Sequence, residues 1–372
     1  MKKLHFIFYI LFSVLFLSCS SDDDGDDNGG ETPEKGDVAY FGTNLSSAEF
    51  APVDDYPYGE DGYHYSFPSN ADIDYFHSKG LKMLRLPFRW ERVQPDLNGD
   101  LGGANYLQQM KNLVSYAQTK GVYIILDMHN FGRRPVNGTS FVIGQQQHLK
   151  IEHFADVWKK LATEFKDYHN IWGYDLMNEP HDMGSGDLWF NIAQGAINAI
   201  REVDTKTTII ISGDNWSSAS AWVSSSDNLK NLADPSNKLI YQAHTYFDKN
   251  ASGVYAKFVD GVEIPTTYEE EEATPQTGVE RIKPFVNWLK QNKKVGFIGE
   301  YGIPNDDTRW NVVLENMLKY MVEEGIPGTY WSAGPRWGDY RLSIQPLNNY
   351  GTDRPQMTVL KKYTKTNLPV YK

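Results

Sequence analysis

Two stretches of this sequence end in a glutamate placed where a reactive group is expected. Ile171–Pro180 (IWGYDLMNEP) reads as a buried strand that stops at the polar pair Asn178 and Glu179, with Pro180 closing the run. Lys294–Tyr301 (KVGFIGEY) repeats the pattern, an apolar strand followed by Glu300 at its C-terminal end. A carboxylate in that position costs stability and is useful for chemistry. One protonated and one ionised carboxyl, held close together, are what cleavage of a glycosidic bond requires.

Such glutamates need a scaffold that brings strand ends together. From Val38 onward, strand-like and helix-like patterns alternate. Strands are expected at Val38–Asn44, Met83–Phe88, Tyr123–His129, Ile171–Asn178, Thr208–Gly213, Leu239–Tyr246, Val295–Glu300 and Gly328–Ser332. Helices are expected at Asn105–Thr119, Gln147–Phe165, Leu188–Val203, Val279–Asn292 and Asp307–Glu324; Phe154, Val157, Trp158 and Leu161 show the spacing of three and four. This alternation predicts a single α/β domain over residues 38–372, a (β/α)8 TIM barrel. A doubly wound open sheet competes, but no glycine-rich phosphate loop follows any strand. The long segment Asp248–Gly278 carries the acidic run Glu269–Glu272, read as a solvated loop, and is a candidate cleft wall.

Barrel active sites form at the C-terminal ends of the strands. Those ends supply Arg85, His129-Asn130, Asn178-Glu179, His244 with Tyr246, Glu300 and Trp331. Each alone has an ordinary explanation as a core or ion-paired residue; their coincidence at successive strand ends argues for a site. His129, His244 and Asp127 lack metal-ligand spacing of the HExxH kind, and no G-x-S-x-G elbow is present. No metal and no cofactor are expected.

The set resembles glycoside hydrolase family 5 over essentially the whole chain after residue 37. It rests on Arg85, His129, Asn178-Glu179, His244-Thr245-Tyr246, Glu300 and Trp331. NEPHDM (Asn178–Met183), YWSAGPRWGDY (Tyr330–Tyr340) and GVERI (Gly278–Ile282) are similar to the endo-β-1,4-glucanase branch. The resemblance implies a retaining double displacement with Glu179 as acid/base and Glu300 as nucleophile. It implies that Arg85 keeps Glu300 anionic with help from Tyr246, and that the charge of Glu300 raises the pKa of Glu179. Asn178 would hold the sugar 2-hydroxyl; His129 and His244 would bind hydroxyls and orient Glu179. Trp331 would stack on a pyranose; Trp337, Trp90 and Trp216 are nearby rings that either serve as subsites or simply pack. Arg336, where those enzymes often carry an aromatic, Tyr301 after the second glutamate, and the long Asp248–Gly278 loop depart from the pattern. They bear on substrate: mannan, xyloglucan, mixed-linkage glucan or an exopolysaccharide are alternatives to β-1,4-glucan. A non-catalytic glycan-binding lipoprotein is the reading from another class, and the presence of both glutamates speaks against it.

The 372 residues are 40% hydrophobic and 14% aromatic, enough for a large core. The net charge of -12 argues against nucleic acid as a partner, and a monomer is expected. The single cysteine, Cys19, excludes an internal disulfide. It follows Lys2, Lys3 and the apolar run Leu4–Leu17, so residues 1–18 read as a signal peptide. Phe16-Leu17-Ser18-Cys19 resembles a bacterial lipobox, which implies lipidation of Cys19 as the only membrane attachment. Residues 19–37 read as an acidic flexible tether, similar to the export tag of Bacteroidetes surface lipoproteins, and imply an outer-membrane or cell-surface location. The tether nearly fits a calcium loop, but its twelfth position is Lys35 and calcium is not expected.

Overall fold

The computed structural model describes residues 34–51, 58–103, 105–184 and 186–370. The expected signal peptide, Cys19 and the tether as far as residue 33 lie outside the described residues. From Pro33 onward the chain is one compact unit.

Eight parallel strands form one sheet: β1 (Gly42–Leu45), β2 (Met83–Phe88), β3 (Tyr123–Met128), β4 (Ile171–Asp175), β5 (Thr208–Ser212), β6 (Leu239–His244), β7 (Val295–Glu300) and β8 (Thr329–Ala333). The sheet runs β7-β6-β5-β4-β3-β2-β1-β8. Its two ends meet where Ile298 N donates to Pro327 O at 3.0 Å and Trp331 N donates to Tyr301 O at 2.8 Å. The sheet therefore curls into the nearly closed (β/α)8 barrel that the alternation predicted.

Among the described residues six long helices cover the outside: α1 (Asn70–Ser78), α2 (Tyr106–Thr119), α3 (Ile151–Phe165), α4 (Leu188–Arg201), α5 (Thr277–Asn292) and α6 (Arg309–Glu323). The periodic residues are the buried ones; α3 buries Phe154, Val157, Trp158, Leu161, Ala162 and Phe165. Trp158 also donates its indole N–H to Leu176 O at 3.0 Å, so its burial leaves no polar atom stranded. Truncating that ring to alanine would cost about 3–5 kcal/mol. The apolar pattern did not reveal α1, because only Ile73, Tyr75 and Phe76 of its nine residues are apolar and buried. What starts it is a capping box: Ser69 N donates to Asp72 Oδ2 at 2.7 Å, and Asp72 N donates to Ser69 Oγ at 3.3 Å.

The expected first strand, Val38–Asn44, is two elements. Glu34–Tyr40 leaves the barrel and pairs antiparallel with Lys365–Val370, while β1 enters it after a break at Phe41. Gly42 permits that entry, since a Cβ there would lie 1.5 Å from Met83 O. Residues 34–37, expected in the tether, thus begin a strand; main-chain pairing needs no apolar side chains, so EKGD carried no pattern.

Inside the barrel, Met83, Ile125, Ile210, Ile240 and Phe297 form an apolar floor, with Tyr40 and Leu368 of the outer strand pair packed against it. Successive side chains of a strand alternate in direction, so residues two further along point inward again. Those residues are Arg85, Asp127, Ser212 and Gln242, all buried. Glu300 comes three residues after Phe297, and a register irregularity between Ile298 and Glu300 accompanies its inward turn. The apolar floor is therefore capped by a polar layer at the C-terminal ends of the strands.

Candidate active site

Arg85 is the centre of that layer and is fully buried. Its Nε donates to Asp175 Oδ2 at 2.8 Å; Nη1 donates to Asn44 Oδ1 at 2.8 Å and Glu300 Oε1 at 3.0 Å. Nη2 donates to Asn178 Oδ1 at 2.8 Å and lies 3.0 Å from Asp127 Oδ1. Burial works against its charge, but the carboxylates of Asp127, Asp175 and Glu300 outweigh burial and hold the guanidinium charged. Burial in turn pushes Asp127 up to about 7 and Asp175 up to about 6, with Arg85 opposing both.

Glu179 and Glu300 face one another across the polar layer. One oxygen of each, together with a His244 ring nitrogen, forms a set whose members lie within 4.8 Å of one another. Their surroundings differ. Glu300 accepts from Arg85 on Oε1 and from the Tyr246 hydroxyl on Oε2 at 2.8 Å. Glu179 has only His244 Nδ1, 2.8 Å from its Oε1. Its side chain is 17% exposed against 5% for Glu300, so it is the carboxyl more open to a ligand. Glu179 also adopts a left-handed backbone (φ 44°), a conformation costing roughly 1–2 kcal/mol in a non-glycine residue.

Burial is the main influence on both acids. It pushes Glu179 up to about 7, opposed by Arg85. It pushes Glu300 up to about 7, with His244, Arg85 and Tyr246 pulling down and Glu179 pushing further up. This corrects the expectation that Arg85, helped by Tyr246, sets Glu300 low and that the charge of Glu300 raises Glu179. The donors still separate the two: a charged guanidinium and a phenol favour the anion at Glu300, whereas the proton of the pair is better kept at Glu179.

His129 does not reach Glu179. Its Nδ1 is 2.7 Å from Asp127 Oδ2 and its Nε2 is 3.2 Å from Asn178 Nδ2. Burial lowers its pKa well below the usual range, so the ring is neutral. Nδ1–H then donates to Asp127 and Nε2 accepts from Asn178. His129 thereby aims Asn178, and only His244 orients Glu179. Burial also lowers His244 to about 4; its Nε2 has no protein partner, and the residue lines a cavity of about 370 Å³ beside Glu179.

The predicted rings divide. Trp331 stacks on His129 (centroids 5.4 Å apart, planes at 14°), and Trp337 meets it edge-on at 5.7 Å. Trp216 is 46% exposed, lines the cavity and stacks on His181 at 4.3 Å. Trp90 is fully buried, packs on Phe154 and donates to Gln94 Oε1, so it is a core residue and not a subsite ring. Its charged neighbours in sequence, Arg89 and Glu91, gave no sign that the ring is buried. Arg336 turns to the loop at residues 62–66, donating to Tyr63 O at 2.6 Å.

Three residues escaped the sequence reading or entered it in another role. Asn44 and Asp175 bind Arg85, and Asp127 binds Arg85 and His129. Asp127 and Asp175 each stand inside an otherwise apolar strand (YIILDM, IWGYD), a signal that was available. Glu179, His244 and Glu300 have the spacing of possible metal ligands. Arg85 already supplies the positive charge beside Glu300, and His244 Nδ1 is engaged by Glu179, which disfavours a divalent ion there.

A barrel whose C-terminal face carries two adjacent carboxyls, one held by a cation and one by a neutral imidazole, defines a glycoside hydrolase. The sequence model described as Cellulase (glycosyl hydrolase family 5) matches residues 37–336. The chain belongs to glycoside hydrolase family 5. It is 35% identical over 336 residues to endoglucanase 3 of Humicola insolens, covering 89% of this chain and 79% of that one. Pseudomonas stutzeri endoglucanase Cel5A in complex with cellobiose superposes with a TM-score of 0.78 at 39% identity, over 89% of this chain and 94% of that one. XacCel5A in complex with cellopentaose gives a TM-score of 0.77 at 36% identity, over 88% and 99%.

Proposed function

We propose that this protein is a retaining endo-β-1,4-glucanase acting on cellulosic chains. The observation that carries the reading is the pair Glu179 and Glu300, oxygens within 4.8 Å and each in different company. Retaining enzymes hold their carboxyls about 5–5.5 Å apart, whereas inverting ones need room for a water between them. Glu300, in the anionic form that Arg85 and Tyr246 favour, attacks the anomeric carbon while Glu179 gives its proton to the departing glycosidic oxygen. The glycosyl ester removes the charge of Glu300, and Glu179, now ionised, takes a proton from the water that attacks the ester.

The remaining roles follow from position. The free N–H of Asn178 Nδ2 serves the sugar 2-hydroxyl, and His244 holds Glu179 through Nδ1 beside the cavity. Trp331 carries the sugar at the cleavage point, and Trp216 receives the leaving portion of the chain. Cellobiose and cellopentaose complexes of similar enzymes support β-1,4-glucan as substrate. Export with an acyl chain on Cys19, tethering the barrel to the cell surface as a monomer, completes the reading.

The test is incubation of the barrel with β-glucans, xylans and mannans, with Glu300→Gln as control. Expected are a fast viscosity drop on soluble cellulose derivatives and nascent products of β configuration. Initial α products, or hydrolysis of mannan or xylan alone, would overturn it.

A further inference from the structure

The connection from β6 to α5 is long, and its start is tightly fixed. Asp248 accepts from Ser252 N, Ser252 Oγ and Gly253 N at 2.6–2.9 Å. Tyr255 is buried, accepts from Phe247 N at 2.9 Å and donates to Gly302 O at 2.7 Å, two residues past Glu300. From that anchor rises an antiparallel hairpin, Ala256–Val259 with Val262–Pro265. Asp260 and Gly261 turn it with φ of 51° and 79°, the two left-handed residues of a tight two-residue turn. At its base Thr266 N donates to Tyr255 O at 2.9 Å, and Arg341 donates to Tyr255 O at 2.7 Å and Thr266 O at 3.2 Å. The hairpin is clamped to the β8 loop at its foot.

Register assigns its two faces. Phe258 pairs with Glu263 on one; Lys257 pairs with Ile264 on the other. Lys257 forms an ion pair with Glu270, which turns its face toward the returning loop. The Phe258–Glu263 face is turned the other way, and Tyr340 precedes the Arg341 that clamps the foot of the hairpin. Burial raises the Tyr340 hydroxyl, and the charges of Glu300, Asp248 and Glu263 raise it further. Tyr340 stacks on Trp337 at 4.5 Å, and Trp337 meets Trp331. A row of rings thus leads from the carboxyl pair to the foot of the hairpin. On its other flank, Asn250 and Ser252 of the same connection line the cavity that holds Glu179 and Trp216.

Phe258 is 67% exposed and its cross-strand partner is a carboxylate, so it adds little to the hairpin's own stability. An exposed ring beside a carboxylate offers a flat apolar face with an adjacent hydroxyl acceptor, the chemistry of a pyranose platform. We propose that the hairpin Ala256–Pro265 is a wall of the substrate cleft, and that Phe258 with Glu263 binds a glucosyl unit beyond those gripped at the carboxyl pair. The enzyme is thereby tuned to chains longer than a disaccharide. This rests on the β-1,4-glucanase reading.

The experiment compares the full exported chain with Phe258→Ala and Phe258→Trp on an aryl β-cellobioside and on cellohexaose. Hydrolysis by the unmodified protein first tests the underlying reading by itself, since a failure there precedes any comparison of variants. Expected for Phe258→Ala is a kcat/KM within about 2-fold on the aryl cellobioside and about 5- to 10-fold lower on cellohexaose, mostly through KM. Phe258→Trp restores the cellohexaose value. Equal loss on both substrates, with or without a lower Tm, or no loss on cellohexaose, overturns the assignment.

Discussion

Nη2 of Arg85 donates to Oδ1 of Asn178 at 2.8 Å, so the cation that neutralises the buried carboxylates also fixes which way the amide points. With Oδ1 committed to Arg85 and one N–H of Nδ2 given to His129 Nε2, a single N–H remains for a ligand. Electrostatics and hydrogen-bond geometry are set by the same side chain.

That remaining N–H gives the first prediction. Asn178→Ala should lower kcat by about 100-fold, since a bond to the 2-hydroxyl that strengthens in the transition state supplies about 3 kcal/mol. KM should change by less than about 3-fold. On a 2-deoxy substrate the variant and the unmodified enzyme should converge; an undiminished gap there would remove the 2-hydroxyl assignment.

Glu300→Gln should cut turnover by at least about 10³-fold while the fold and oligosaccharide affinity are kept. The amide occupies the same space and can still meet Arg85 and Tyr246. Calorimetric titration with cellopentaose, beside activity assays, checks both halves.

The raised pKa of Glu179 makes a prediction about stability. Its folded value, about 7, lies above the unfolded carboxyl range near 4.5. Below pH 4.5 both states hold the proton and no cost arises. As pH rises toward 7 the unfolded chain ionises first, so this stability contribution falls away and is lost once pH passes the folded pKa. Glu179→Gln carries no such loss. Its Tm relative to the unmodified protein should therefore climb by a few °C between pH 4.5 and pH 8. A flat or falling difference would mean that the carboxyl is not held in its neutral form.

Much of this site was legible from strand ends alone. Arg85, Asn178, Glu179, His244, Tyr246 and Glu300 stand out together, because each alone has an ordinary structural explanation but their coincidence in or just beyond successive apolar strands does not. What was not legible depended on direction. Asp127 and Asp175 lie inside strands, and only the inward turn of those positions reveals that they feed Arg85. Trp90 and Trp216 are one residue type in unlike settings, core and cavity, and no local pattern separates them. Residues 34–37 of the outer strand were hidden because its partner strand lies at the far end of the chain.

Cys19→Ala should release the protein from the membrane fraction. Among the described residues no helix is long and apolar enough to cross a membrane, and an acyl chain on Cys19 is the anchor the sequence offers. Fractionation of cells expressing each form checks it. A variant that still sediments with membranes after signal removal would refute the anchor.

The sharpest test of the carboxyl assignment uses Glu179→Ala. Without the acid, a sugar leaving group cannot depart, because its oxygen needs a proton as the bond breaks. An aryl glycoside with a low-pKa phenol needs no such help, so its first step survives and the ester on Glu300 forms. The ester then persists, since nothing activates the attacking water. Azide needs no base and fits the space vacated by the side chain, so it should restore turnover and give the β-glycosyl azide. Two successive inversions at the anomeric carbon demand that anomer. An α-azide would mean a single displacement, and rescue confined to Glu300→Ala would exchange the two roles. The hydrogen bonds argue against exchange: Glu300 carries the Arg85 and Tyr246 donors that stabilise an attacking anion, and Glu179 has only the neutral ring of His244.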